Sequence, residues 1–271
     1  MGLDEGLQML TQMLHEERVE DLLVSVYPTN AALGGAAAAE ASALIREMIR
    51  EKDEANLIVG AANSQLTFFA ALGRVAEVHW SKVNIFQMDE YLEIDREHPA
   101  TFSRFLHRHL LDHIAPRAFF PILEETVDPT SACSRYEQLL HEHPSDLCVL
   151  GFGENGHLAF NDPPFADFSD PKWVKVVELA DASRRQQVGE GHFAALHDVP
   201  THAITLTIPA VLAARHVLAV VPEARKALAV FRALRGPISP ECPASILRRI
   251  PNAHLFLDIG SAGNALSMQR P

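Results

Sequence analysis

Cysteine is scarce in this chain. There are three in 271 residues, Cys133, Cys148 and Cys242, and their spacing pairs none of them. That excludes a disulfide framework and fits free thiols in a reducing cytoplasm. Positive charge is also short: 23 Lys and Arg face 35 Asp and Glu, a formal net charge of −12. This balance argues against nucleic acid or an anionic membrane as a partner. It also means that any anionic ligand must be met by a local cluster of Arg, Lys and backbone N–H groups. No apolar run reaches the roughly 18 residues of a membrane span. The opening Met-Gly-Leu-Asp-Glu-Gly has neither the basic nor the apolar region of a secretion signal. No linker composition interrupts the pattern, so one large α/β domain is expected.

What is present is ordinary globular composition, 48% hydrophobic and 21% charged, enough for a sizeable core. Leu3, Leu7, Leu10, Met13 and Leu14 recur at helical spacing. They predict an amphipathic helix over 3–17, within a helical extension over 1–21 that precedes an α/β domain over 22–271. Such a helix would suit an interface in a homo-oligomer. Apolar runs at 22–27, 57–59, 83–88, 147–150, 173–179, 203–208, 217–221 and 255–259 read as strands. Helical stretches separate several of them, the longest being the Ala-rich run capped by Thr29 or Asn30. Strand and helix in alternation predict an open, mostly parallel sheet with helices on both faces.

Residues 148–164, Cys-Val-Leu-Gly-Phe-Gly-Glu-Asn-Gly-His-Leu-Ala-Phe-Asn-Asp-Pro-Pro, organise the rest. A buried strand runs into Gly151, Gly153 and Gly156, which allow tight turns and close approach of backbone N–H groups. The loop holds Asn155, His157 and Asp162, and His157 is an acid/base candidate. Open α/β sheets place their ligands at such strand ends. Asp89 and Glu90 follow the 83–88 strand, where one carboxylate can face a cleft as a base while the other is solvated or paired; the alternative is a helix N-cap. Ala61, Ala62, Asn63 and Ser64 follow the 57–59 strand and lead into a helix, an arrangement that cradles phosphate or serves as a plain turn. Arg184 and Arg185 lie in a Gly-containing polar stretch that reads as a mobile anion-capturing lid or as ordinary surface charge. Lys226 follows the 217–221 strand. His109 and His113 stand i, i+4 but lack the Glu of an H-E-x-x-H motif and a third ligand, so no metal is expected.

Three motifs together resemble the glucosamine-6-phosphate deaminase family, in the superfamily that includes 6-phosphogluconolactonases. They are Phe86-Gln87-Met88-Asp89-Glu90-Tyr91 with Glu97-His98-Pro99, the loop from Gly151 to Pro163, and Arg225-Lys226-Ala227. The resemblance spans roughly 22–259. It implies a Rossmann-like fold, no redox cofactor, and conversion of glucosamine 6-phosphate and water to fructose 6-phosphate and ammonia. It makes Asp89 the base between C2 and C1, and His157 the group that opens the sugar ring. Lys226, Arg184 and the turn Ala61 to Ser64 match its phosphate-binding positions. Two departures stand out. Asp162 and Asn155 sit where members usually carry Glu and Asp, and the phosphate turn is Ala-rich rather than Gly/Ser/Thr-rich. The rivals are a 6-phosphogluconolactonase, a deaminase of a related sugar such as galactosamine 6-phosphate, and a non-catalytic sugar-phosphate sensor. Residues 1–21 are too short to give a sensor its helix-turn-helix.

Overall fold

The computed structural model describes residues 12–75, 77–124 and 128–266. Eight strands form one sheet: β1 (His15–Val19), β2 (Leu22–Tyr27), β3 (Ala55–Val59), β4 (Val83–Gln87), β6 (Ala118–Phe120), β7 (Leu147–Leu150), β10 (His216–Val221) and β11 (Ala253–Asp258). Their order is β1-β2-β11-β10-β7-β3-β4-β6. Neighbours run parallel except for the β1–β2 hairpin. Every residue of β3, β4 and β7 is buried, as expected for strands covered on both faces. Alternation along those strands divides the core in two. Ile58, Cys148 and Leu150 join one apolar cluster, whereas Leu57, Val59, Leu147 and Val149 join the other. The Rossmann-like, mostly parallel arrangement expected from the sequence is therefore the fold.

Helix α1 (Asn30–Lys52) is capped by Thr29, whose hydroxyl accepts from the Ala32 amide at 3.1 Å. It packs on α2 (Leu66–Leu72), where Gly34 lies directly against Thr67. Helices α3 (Phe102–His109) and α4 (Pro129–Glu142) follow, then α5 (Asp181–Gly189), α6 (Ile208–Leu212), α7 (Ala227–Arg235) and the short α8 (Ile259–Ala262). Strands β5 (Asp89–Tyr91), β8 (Val174–Glu178) and β9 (His202–Leu206) form a second, antiparallel sheet of order β5-β9-β8.

Three expectations need correction. Residues 15–17 belong to β1, so the helix predicted over 3–17 does not run through them, and the extension over 1–21 is not wholly helical. Its positions 1–11 lie outside the described residues. The segment His-Glu-Glu-Arg-Val alternates in exposure along an edge strand, where charge discourages further pairing. Glu20, at φ 54°, makes the tight turn into β2. The strand predicted to Ile208 stops at Leu206, because Thr207 caps α6. The stretch read as a mobile lid at 181–189 is helix α5, built from Arg and Gln residues that favour helix, with Asp181 in its first turn.

Candidate active site

The turns after β3, β4, β7 and β10 converge on one cavity at the carboxyl end of the main sheet. In the β7 turn, Gly156 takes φ 87°, a conformation that few other residues adopt. Gly153 lies against the imidazole of His157, where a β-carbon would collide with the ring. The turn is closed by hydrogen bonds from the Gly153 amide to the His157 carbonyl and from the Gly156 amide to the Gly153 carbonyl, both 3.0 Å. The glycines thus bring the imidazole to the cavity wall.

Asp162 fixes the ring from behind. Its Oδ1 lies 3.1 Å from His157 Nδ1 and accepts from Ser183 Oγ at 2.6 Å and Asn155 Nδ2 at 2.8 Å. Burial opposes the charge on Asp162, but the His157 contact, Ser183 and Asn155 hold its carboxyl below the ordinary value. An ionised carboxylate has no proton to give, so Nδ1 carries a hydrogen towards Asp162, and Nε2 is the nitrogen that can give up or take a proton. Asn155 also accepts from the His157 amide at 3.1 Å. The shorter Asp still reaches the ring, because Asn155 and Ser183 hold its carboxylate in place. Asn155 and Asp162 do not line the cavity; their contact with the site is the hydrogen bonding to His157.

Asp89 and Glu90 divide the two roles read from the sequence. Asp89 lines the cavity and is 7% exposed. Burial, with the neighbouring Glu90 charge, pushes its carboxyl up to about 8. Glu90 turns the other way. It accepts from the Gln87 side chain and the Tyr91, Phe102 and Ser103 amides at 2.9–3.0 Å. The last two are the first amides of α3, whose own N-cap residue, Thr101, supplies no side-chain bond. Glu90 is therefore a cap delivered from another element, and paired rather than solvated. Burial raises its carboxyl while these donors pull it back.

The opposite wall carries charge of both signs. Lys226, only 2% exposed, lines the cavity at the start of α7. Burial draws its ammonium below the ordinary value, and Glu190 opposes that shift. Glu190 lines the same cavity from the end of α5 with its side chain 3% exposed. Its Oε1 pairs with Arg225 at 2.9 Å and accepts from Gln186 at 2.8 Å. Burial would raise its carboxyl, yet His192, Arg225, Lys226 and Gln186 hold it down to about 2. Gln65 ties the β3 turn to β10 by donating to the Val220 carbonyl at 3.2 Å.

Of the residues singled out in the sequence, Ala61, Ala62, Ser64, Asp89, His157 and Lys226 line this one cavity. Two assignments are corrected. Arg184 does not face the cavity: its guanidinium donates to the carbonyls of Leu196 at 2.8 Å and Val199 at 3.0 Å, and so pins the loop after α5. Asn63 turns its amide to the Glu190 carbonyl at 3.3 Å. Residues that sequence reasoning missed are Gln65, Gln186, Gln187 and Glu190. The available signal was an acid bracketed by Gly189 and Gly191, and an extra cation, Arg225, beside Lys226. Among the described residues no group of three or more His, Cys, Asp and Glu forms a metal site. His109 packs its ring on Phe105, and His113 bonds the Arg108 carbonyl.

Fold and site together define an α/β enzyme equipped for proton transfer on a small polar ligand. The profile of the glucosamine-6-phosphate isomerase/6-phosphogluconolactonase family matches residues 28–255. A glucosamine-6-phosphate deaminase from Bacillus cereus is 35% identical over 215 residues, 79% of this chain and 80% of its own. The solved structure of a monomeric glucosamine-6-phosphate deaminase superposes with TM-score 0.81 at 26% identity, covering 88% of this chain and 98% of that one. A 6-phosphogluconolactonase from Trypanosoma brucei shares the fold at TM-score 0.70 and 17% identity, covering 92% and 99%. The chain belongs to the glucosamine-6-phosphate isomerase/6-phosphogluconolactonase family.

Proposed function

We propose that the chain converts glucosamine 6-phosphate and water to fructose 6-phosphate and ammonia, as a cytoplasmic step of amino-sugar breakdown. The observation that carries this reading is one cavity lined both by a buried carboxyl raised to about 8, Asp89, and by an oriented histidine, His157. Lys226 and the N–H groups of the 61–64 turn hold the phosphate, and that binding orients the sugar. His157 Nε2 moves a proton between the ring oxygen and the C1 hydroxyl, which opens the ring. Asp89 takes the C2 proton and returns it to C1. The double bond formed at C2 is then to nitrogen; water adds to C2 and ammonia leaves. A base whose own affinity for a proton is set near neutrality is the kind such a step requires. The glucosamine-6-phosphate deaminase relatives support this choice over lactone hydrolysis.

The test is ammonia release from glucosamine 6-phosphate, run beside 6-phosphogluconolactone hydrolysis. Asp89→Asn is expected to lower ammonia release by about 10²–10⁴-fold. Fructose 6-phosphate should still bind within about twofold of the wild-type affinity. Lactone hydrolysis without ammonia release would overturn the assignment.

A further inference from the structure

The wall that meets the phosphate contains an acid. The Glu190 side chain is almost wholly enclosed, and its carboxylate is bonded to Gln186, which lines the cavity, and to Arg225, which does not. Arg225 is surrounded by carboxylates: besides Glu190, its Nε lies 2.6 Å from Glu223 and its Nη1 lies 3.4 Å from Glu154. The second cation that the sequence places beside Lys226 is therefore neutralised within the protein. Among the described residues, no carboxylate lies within ion-pairing distance of the Lys226 ammonium. Gln65 and Gln187 also line this cavity, each with its Oε1 buried and without a hydrogen-bond partner.

We infer that Glu190 is a specificity-determining residue: its carboxylate puts a negative charge on the cavity wall beside Lys226, holds Arg225 paired behind that wall, and lowers the preference for phosphorylated over unphosphorylated 2-amino-2-deoxyhexoses. The inference rests on the deaminase reading above and adds to it the class of sugar accepted. A like charge fixed beside a bound anion costs affinity for that anion and leaves a neutral ligand nearly untouched. Glu190 stays ionised through the neutral range, held down to about 2, so the penalty is present at working pH. Residue 190 caps α5 through its backbone N–H, which bonds the Gln186 carbonyl, so a side-chain change from Glu to Gln leaves that cap in place.

The experiment compares kcat/KM for ammonia release from glucosamine 6-phosphate and from glucosamine, in the wild type and in Glu190→Gln. The amide keeps the size of the side chain and removes the charge. The ratio of the two kcat/KM values is expected to rise by about tenfold or more in the variant, through a lower KM for the phosphorylated sugar. An unchanged or smaller ratio overturns the inference. A second readout does not depend on turnover: the affinity for inorganic phosphate, by calorimetry, should rise by about fivefold or more in Glu190→Gln. Adding Arg225→Gln to that variant should abolish the gain. A phosphate affinity that stays flat or falls in Glu190→Gln, in protein whose melting curve shows it folded, also overturns the inference. Failure of the deaminase reading is seen separately, as no ammonia from either sugar, and the phosphate measurement then still decides the role of Glu190.

Discussion

Asp89 and Glu190 line the same cavity, and their surroundings push the two carboxyls in opposite directions. Asp89 meets apolar burial and the charge of Glu90, which raise it to about 8. Glu190 is also enclosed, but Arg225, Lys226, His192 and Gln186 hold it down to about 2. Burial raises both carboxyls; it prevails at Asp89 and is overridden at Glu190. What separates them is the set of cations and donors that reaches Glu190 and is missing at Asp89, and each outcome fits a different task. A carboxyl that gives and takes a proton gains from having no cation beside it. A carboxylate that sets the charge of a wall must be kept ionised.

The comparison can be broken from either side. His157→Ala removes the proton carrier on the Asp89 side and should lower ammonia release by about 10²–10⁴-fold, measured by a coupled ammonia assay. Asp162→Asn keeps the ring but takes away the charged acceptor at Nδ1, and turnover should fall by about 10- to 100-fold with KM little changed. Asp89 also leaves a mark on stability. Its native carboxyl binds a proton more tightly than the unfolded one, so stability falls as pH rises from about 4 to about 8. Asp89→Asn removes that fall. In urea titrations the variant should gain on the wild type across this window, by at most about 1.4 kcal/mol per pH unit. Glu190 has the opposite sign: its contribution is present above the ordinary Glu range and is lost only as pH drops towards about 2.

Smaller effects sharpen the contrast between site and scaffold. Glu90→Ala leaves the first amides of α3 without their acceptor, and should cost about 3 kcal/mol of stability, read in urea. Arg184→Ala frees the carbonyls of Leu196 and Val199 and should cost about 1–2 kcal/mol. Its KM for glucosamine 6-phosphate should stay within about twofold, which a phosphate-binding arginine would not allow.

Much of this was readable beforehand, for identifiable reasons. The strands of the main sheet are continuous apolar runs, because both faces are covered, and the strand-end rule led directly to Asp89, His157 and Lys226. The second sheet was harder. β4 ends at Gln87 and β5 begins at Asp89, and only Met88 separates them, so the sequence shows a single run. β1 was misread because Met13 and Leu14 continue a helical spacing into what is an exposed edge strand. Arg184 illustrates a further limit: a cation in a polar stretch does not announce whether its partner is a ligand or two carbonyls of its own chain. Glu190 escaped notice because an acid at an expected anion site runs against the electrostatic argument used to find that site.

The most direct test of the two-carboxylate account is a pH titration of the side-chain carboxyl carbons by NMR, with Asp89→Asn and Glu190→Gln used to assign the two resonances. The account predicts that Asp89 titrates near 8 and that Glu190 stays ionised until pH falls to about 2. Both resonances titrating together at about 4, in the ordinary carboxylate range, would contradict it.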